Sequence, residues 1–305
     1  MKLTTLVRGI VGRSRTATPA LKPWPYYRAV DIYERSRTIL PRRTPTLEQR
    51  GVRILGYHRV AHERDVLAVS PDAFRRQMET LLESGSRIIR LDAALGLLVR
   101  AVPEYYVCVT FDDGYRDSLE NAAPILRELG IPATVFLPTA VIDGRANFYW
   151  YRRESPQALT WDGVADLIAD GLIDVQSHSR THPRLPALDD GRARDELAGS
   201  KADIERRVAY KVSSFCYPAG LYGPREARLV RETGYRGAVT CRSGLNAGGM
   251  GLVELRRTMV GWRDDMERFR AKLAGRLDKP SVLTEAMQRR RAAVRRAPPA
   301  GEEGT

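Results

Sequence analysis

From residue 51 onward the chain alternates two kinds of pattern. Short β-rich apolar runs at 52–57, 105–111, 133–137, 173–177, 212–217, 237–241 and 253–260 read as strands. The run 105–111 is continuously apolar and bounded by Asp-Asp-Gly, as expected of a parallel strand buried on both faces. Between the runs, apolar residues recur every three or four positions, which predicts helices. Ser70-Pro71 opens the first of these, with Ser as N-cap and Pro in the first turn. Phe74, Met78, Leu81 and Leu82 share one face, and Gly85 ends it. Further helices are predicted over 121–129 up to Gly130, over 161–169 after Thr160, over 189–209, over 224–233 and over 264–276.

Repeated strand–helix units favour either a closed α/β barrel or an open doubly wound sheet. The barrel is preferred, because the candidate chemical residues follow strand ends, where barrel enzymes place their sites. His58, Asp112-Asp113 and His178 come directly after predicted strands, and Tyr217 closes another, ahead of Pro218. The expectation is an α/β fold with a barrel of about seven strands. With 43% apolar and 8% aromatic residues, the chain can bury a sizeable core.

Charge divides the chain. The net charge is +13, of which residues 1–50 carry +8 and residues 286–305 carry +3, leaving +2 for 51–285. The basic character therefore belongs to the ends. We expect a basic extension over 1–50, a catalytic domain over 51–280 and a basic tail over 281–305. Such ends suit a solvated arm or peripheral contact with an anionic membrane. No nucleic-acid partner is expected, since no binding motif accompanies the charge. Leu3, Leu6, Val7, Ile10 and Val11 have helical spacing, compatible with a helix on a membrane surface or on the protein's own core. Arg8 interrupts that set, no signal-peptide pattern emerges, and no run approaches membrane-spanning length. The expected location is the cytoplasm or the cytoplasmic face of the membrane. Cys108, Cys216 and Cys241 are odd in number, which argues for free thiols over a disulfide framework.

Two segments concentrate the chemistry: Phe111-Asp112-Asp113-Gly114 and His178-Ser179-Arg180-Thr181-His182. One helical turn at 178–182 would put both imidazoles on one side. A carboxylate completes a three-ligand site that leaves a position for water. The second carboxylate can then accept the water's proton. That arrangement hydrolyses an amide or ester. Either motif alone also fits a bland role, as a turn, a cap or a solvated pair. Trp150 and Trp161 could face sugar rings, although Trp161 suits the core equally well, and His62 is expected to be exposed.

These residues carry a resemblance. Thr110-Phe111-Asp112-Asp113-Gly114-Tyr115, the His178–His182 pair and Phe215-Cys216-Tyr217-Pro218-Ala219-Gly220 resemble, in order, the first three motifs of the polysaccharide deacetylase family. These are the NodB-homology domains of carbohydrate esterase family 4. The resemblance implies a deformed (β/α) barrel and removal of N-acetyl groups from sugars, in a surface glycan or a lipid-linked precursor. By that resemblance Asp112 is the catalytic base, and Asp113, His178 and His182 hold a divalent metal. Zn2+ is the default and Co2+, Ni2+ or Mn2+ are compatible. The Tyr217 N–H is implied to hold the oxyanion.

Two features depart from the family pattern. Cys216 stands where an Arg is usual, and no histidine follows Tyr217 to supply the usual late general acid. The segment Tyr57-His58 resembles an exopolysaccharide deacetylase subgroup with a circularly permuted fold, which makes His58 the expected acid. Arg257 is the candidate replacement for the missing Arg, with Arg256 as its alternative. Rival readings are a deacylase of the same fold acting on a non-sugar amide or O-acetyl ester, and a catalytically silent glycan-binding homologue.

Overall fold

The computed structural model describes residues 50–151 and 154–278. The expected basic extension, apart from Arg50, and the whole of the expected tail lie outside the described residues. In chain order the elements begin with β1 (Gly51–Tyr57), β2 (Arg59–Val60), β3 (Ala68–Val69), α1 (Pro71–Glu83), β4 (Arg87–Ile88), α2 (Leu91–Leu98) and β5 (Tyr105–Phe111). Then come α3 (Ala123–Leu129), β6 (Ala133–Leu137), α4 (Thr139–Ile142), α5 (Trp161–Ile168), β7 (Ile173–Ser177) and α6 (Asp190–Glu205). The chain continues through β8 (Ser214–Cys216), α7 (Pro224–Glu232), β9 (Gly237–Val239), β10 (Thr258–Met259) and α8 (Met266–Leu273). No helix among the described residues is long and apolar enough to cross a membrane.

The main sheet is parallel, in the order β10-β1-β5-β6-β7-β8-β9, with β4 added alongside β5. Its two ends approach through one short segment. Leu255 forms a parallel bridge to Val239 of β9, and Thr258 pairs with Leu55 of β1. Residues 255–259 thus join both edges and curl the sheet into a deformed barrel.

Strand alternation separates two cores. Leu55, Tyr57, Val107, Val109, Phe111, Val135 and Val175 pack under the outer helices. The alternate residues Val52, Ile54, Cys108, Phe136, Cys216 and Val239 form a second cluster with Leu91, Leu95 and Leu98 of α2. Helix α2 plugs the barrel at the strands' N-terminal end. A Cβ on Gly237, the first residue of β9, would lie only 2.4 Å from a Leu95 methyl. The opposite end stays free for chemistry.

The caps follow the sequence. Ser70 and Thr160 accept from the N–H groups of Ala73 and Gly163, and Gly130 ends α3 in the left-handed region. The single strand expected over 253–260 is broken instead. A 3-10 turn occupies Leu252–Glu254, and the Asn246 side chain takes both the N–H and the C=O of Arg256. The Arg257 N–H goes to Arg242 O. A side chain and a loop thus satisfy the backbone where a ladder was expected.

Candidate active site

Motif one begins as a continuation of β5. The Asp112 N–H donates to Tyr57 O at 2.9 Å, and the chain then turns sharply through two left-handed residues, Asp113 (φ 72°) and Gly114 (φ 63°). Gly114 also has no room for a side chain, because a Cβ would sit 2.8 Å from Leu137 and 3.0 Å from Ile142. The turn leaves the two carboxylates facing different partners.

Asp112 is buried against Arg257. The guanidinium donates from Nη1 to Oδ1 at 2.5 Å and from Nη2 to Oδ2 at 2.6 Å. Arg257 is itself fully buried and also donates to Thr240 O at 3.2 Å. Burial would raise the Asp112 pKa, but the Arg257 charge outweighs it and holds the carboxyl well below the usual range. Arg256 is not the residue that reaches Asp112. The Cys216 thiol lies 3.5 Å from Asp112 Oδ1 and 3.2 Å from Arg257 Nη2, so the guanidinium passes beside a small side chain to reach the carboxylate. Burial pushes that thiol's pKa far up, so it stays protonated.

Asp113 faces the histidines. Its Oδ1 lies 3.4 Å from His178 Nε2 and 3.6 Å from His182 Nε2, yet has no hydrogen-bond partner although buried. Ligands held about 2.1 Å from a tetrahedral ion are separated by about 3.4 Å. An orphaned buried carboxylate oxygen between two imidazole nitrogens at that spacing fits a divalent cation. The His178 Nδ1 contacts Cys216 O at 2.7 Å, which fixes the ring and aims Nε2 at Asp113. Burial, reinforced by the His178 ring, pushes the His182 imidazole down to about 4, so it is neutral near pH 7, as a ligand must be. Burial works against ionisation of Asp113, but the flanking imidazoles hold its pKa below the ordinary value.

The loop between the histidines is not the helical turn expected from their spacing. Residues 178–182 are irregular, and Ser179 (φ 65°) and His182 (φ 56°) are both left-handed. The two rings meet at 4.7 Å through this bent loop, not through helical periodicity.

His58 follows β1, one-fifth exposed at its side chain, with Nε2 3.9 Å from Asp112 Oδ2. It therefore flanks the carboxylate without a direct hydrogen bond. Tyr217 departs from the implied role. Its N–H donates to Val239 O at 3.2 Å, prolonging the β8–β9 ladder, and so is not free for an oxyanion. Its side chain is buried, with the hydroxyl on Val253 O.

The wall beside His182 is aromatic. The Trp150 ring lies 4.6 Å from the imidazole and donates Nε1–H to the Tyr115 hydroxyl. Tyr149, 56% exposed, packs edge-on against Trp150 and reaches His182 O with its hydroxyl at 3.3 Å. The sequence reading passed over Tyr149; its place next to Trp150 was the available signal. Trp161 sits elsewhere, under the Arg207 guanidinium, and His62 is exposed.

The family described as polysaccharide deacetylase matches residues 100–238, which contain the Asp-Asp turn, the histidine pair and Tyr217. Residues 100–238 form a polysaccharide deacetylase domain. The deacetylase is 28% identical over 209 residues to YxkH of Bacillus subtilis, whose name assigns it to the polysaccharide deacetylases; the match covers 68% of this chain and 70% of that one. It is 26% identical over 215 residues to the poly-beta-1,6-N-acetyl-D-glucosamine N-deacetylase of Staphylococcus epidermidis, covering 61% and 71% of the two chains. In fold it is similar to IcaB from Ammonifex degensii, with TM-score 0.63 and 22% identity over 76% of this chain and 98% of that one. The Streptococcus pyogenes deacetylase PplD gives TM-score 0.64 and 21% identity over 73% and 98%. His58 and Arg257 lie outside the matched family segment, so their places in the site rest on the geometry alone.

Proposed function

We propose that this deacetylase removes the N-acetyl group from an N-acetylhexosamine within a surface polysaccharide of the poly-N-acetylglucosamine kind. One observation carries the hydrolytic reading. A buried, Arg-held carboxylate, Asp112, stands next to a second carboxylate, Asp113, whose free oxygen is shared by two imidazoles. The staphylococcal relative, named for poly-β-1,6-N-acetylglucosamine, supports the choice of sugar.

Asp113, His178 and His182 would hold a divalent cation, with Zn2+ as the first candidate. When bound, such an ion acidifies water and polarises a carbonyl. Asp112 accepts the proton of the attacking water. Arg257 keeps Asp112 ionised and fixes both oxygens, so that the proton-accepting group is oriented before substrate arrives. His58, beside Asp112 but not bonded to it, delivers a proton to the departing amine. Trp150 and Tyr149 give the sugar an apolar face next to His182 and shield that edge from water.

The deciding experiment is acetate release by the metal-loaded protein from three substrates: a β-1,6-linked N-acetylglucosamine oligomer, an O-acetylated glycan and a non-sugar acetamide. Release from the oligomer at least tenfold faster than from the others is the expected result. Preference for either of the others would sink the proposed substrate while leaving the hydrolytic site intact.

A further inference from the structure

We infer that Glu196, on helix α6 and outside the motifs, is a positioning residue that sets the affinity of the site for its divalent cation. This rests on the reading of Asp113, His178 and His182 as the ligands.

The loop that carries both histidines is strained at Ser179 and His182, each non-glycine and left-handed. Such a conformation persists only where its surroundings over-determine it. The left-handed turn at Ser179 directs two successive N–H groups, of Arg180 and Thr181, to one side. Convergent N–H groups of this sort form a concave anion site. Glu196 fills it, with Oε2 accepting from Arg180 N at 2.8 Å and Thr181 N at 2.9 Å. Its Oε1 accepts from the Thr181 hydroxyl at 2.6 Å.

The other N–H groups of the loop are held locally or by the sheet. His178 N donates to Leu137 O, Ser179 N to Ser177 Oγ, and His182 N to Ser179 Oγ. The loop's carbonyls at Ser179 and Arg180 accept from Thr139 N and Ala140 N, while Glu196 holds the two N–H groups at the middle of the loop to helix α6 by charge-assisted bonds, which are the stronger kind. The contact is seated by Gly199, one turn further along α6. The Arg180 guanidinium crosses the helix there, so close that a Cβ at 199 would fall 2.2 Å from its Cζ. That guanidinium pairs with Asp195 and Asp203. Releasing the clamp frees the segment between the two imidazoles, and the ligand set loses its preset spacing.

The test is Co2+ binding to the metal-free full chain, read by visible absorption and by competition with a chelator, with thermal melting as a check on folding. Glu196→Ala should bind Co2+ roughly 10–100-fold more weakly, the usual cost of losing a ligand-orienting partner. Glu196→Gln, which can still accept both N–H groups with one oxygen, should recover most of that loss. A folded Glu196→Ala with wild-type affinity and spectrum overturns the inference. Should Glu196→Ala not fold, Thr181→Val decides, with a few-fold weakening expected and unchanged affinity overturning it. Failure of the wild-type protein itself to bind Co2+ would instead overturn the underlying ligand assignment.

Discussion

Arg257 donates two parallel hydrogen bonds, at 2.5 and 2.6 Å, to the two oxygens of Asp112, and neither side chain is open to solvent. A buried charge left without its partner is expensive. Arg257→Met should therefore destabilise the protein by about 3–5 kcal/mol and lower kcat at least a hundredfold. The sign of the pH effect follows from the depressed Asp112 pKa. The pair's stabilisation is complete above the unfolded carboxyl pKa of about 3.9 and fades as pH falls further. The stability gap between wild type and variant, measured by denaturant unfolding, should narrow from pH 7 to pH 3.

The two adjacent carboxylates should separate by mutation. Asp112→Asn keeps the shape but cannot take a proton, so kcat should drop by about 10²–10⁴-fold with metal content unchanged. His178→Ala should lose both activity and metal. Elemental analysis of the purified variants alongside acetate release distinguishes the two patterns.

His58 is close to Asp112 but outside hydrogen-bonding distance. As the proton donor to the amine, its replacement by Asn should cost about 10²–10⁴-fold in kcat with little change in KM. The loss should shrink for a substrate whose leaving group needs no protonation, such as an activated aryl acetate ester. Equal losses on amide and activated ester would remove His58 from the acid role.

Tyr149 is the exposed member of the aromatic wall. Tyr149→Ala should weaken binding by about 0.5–1.5 kcal/mol, seen as roughly a 2–12-fold rise in KM for a glycan oligomer. A single acetylated sugar that stacks on the same ring should show the same rise, and a small acyclic acetamide should show none.

Gly114 has a positive φ and a Cβ site blocked by Leu137 and Ile142. Gly114→Ala should destabilise by about 1–3 kcal/mol and reduce metal content, because the turn that aims Asp113 at the imidazoles must shift. Thermal melting with and without added Zn2+ measures both effects.

The sequence by itself determined the parallel strands and the order of the motifs. β5, β6 and β7 have the limits that the β-rich runs predict; β5 and β6 are nearly apolar throughout, as strands buried on both faces must be, whereas β7 alternates Ile173 and Val175 with Asp174 and Gln176. The chemistry-bearing residues could be picked out because carboxylates and imidazoles at strand ends stand out from such runs. Tertiary structure decided what each residue touches. Arg257 reaches Asp112 across a separation of 145 residues, and no local pattern distinguishes it from Arg256. The Tyr217 N–H is taken by β9, and backbone pairing between distant segments leaves no trace in residue type. The histidine spacing suggested a helical turn, yet the loop bends otherwise because Glu196, Thr139 and Ala140 bind its backbone from elsewhere in the fold. Periodicity reports which face of an element is buried. Partners are fixed only when the barrel closes.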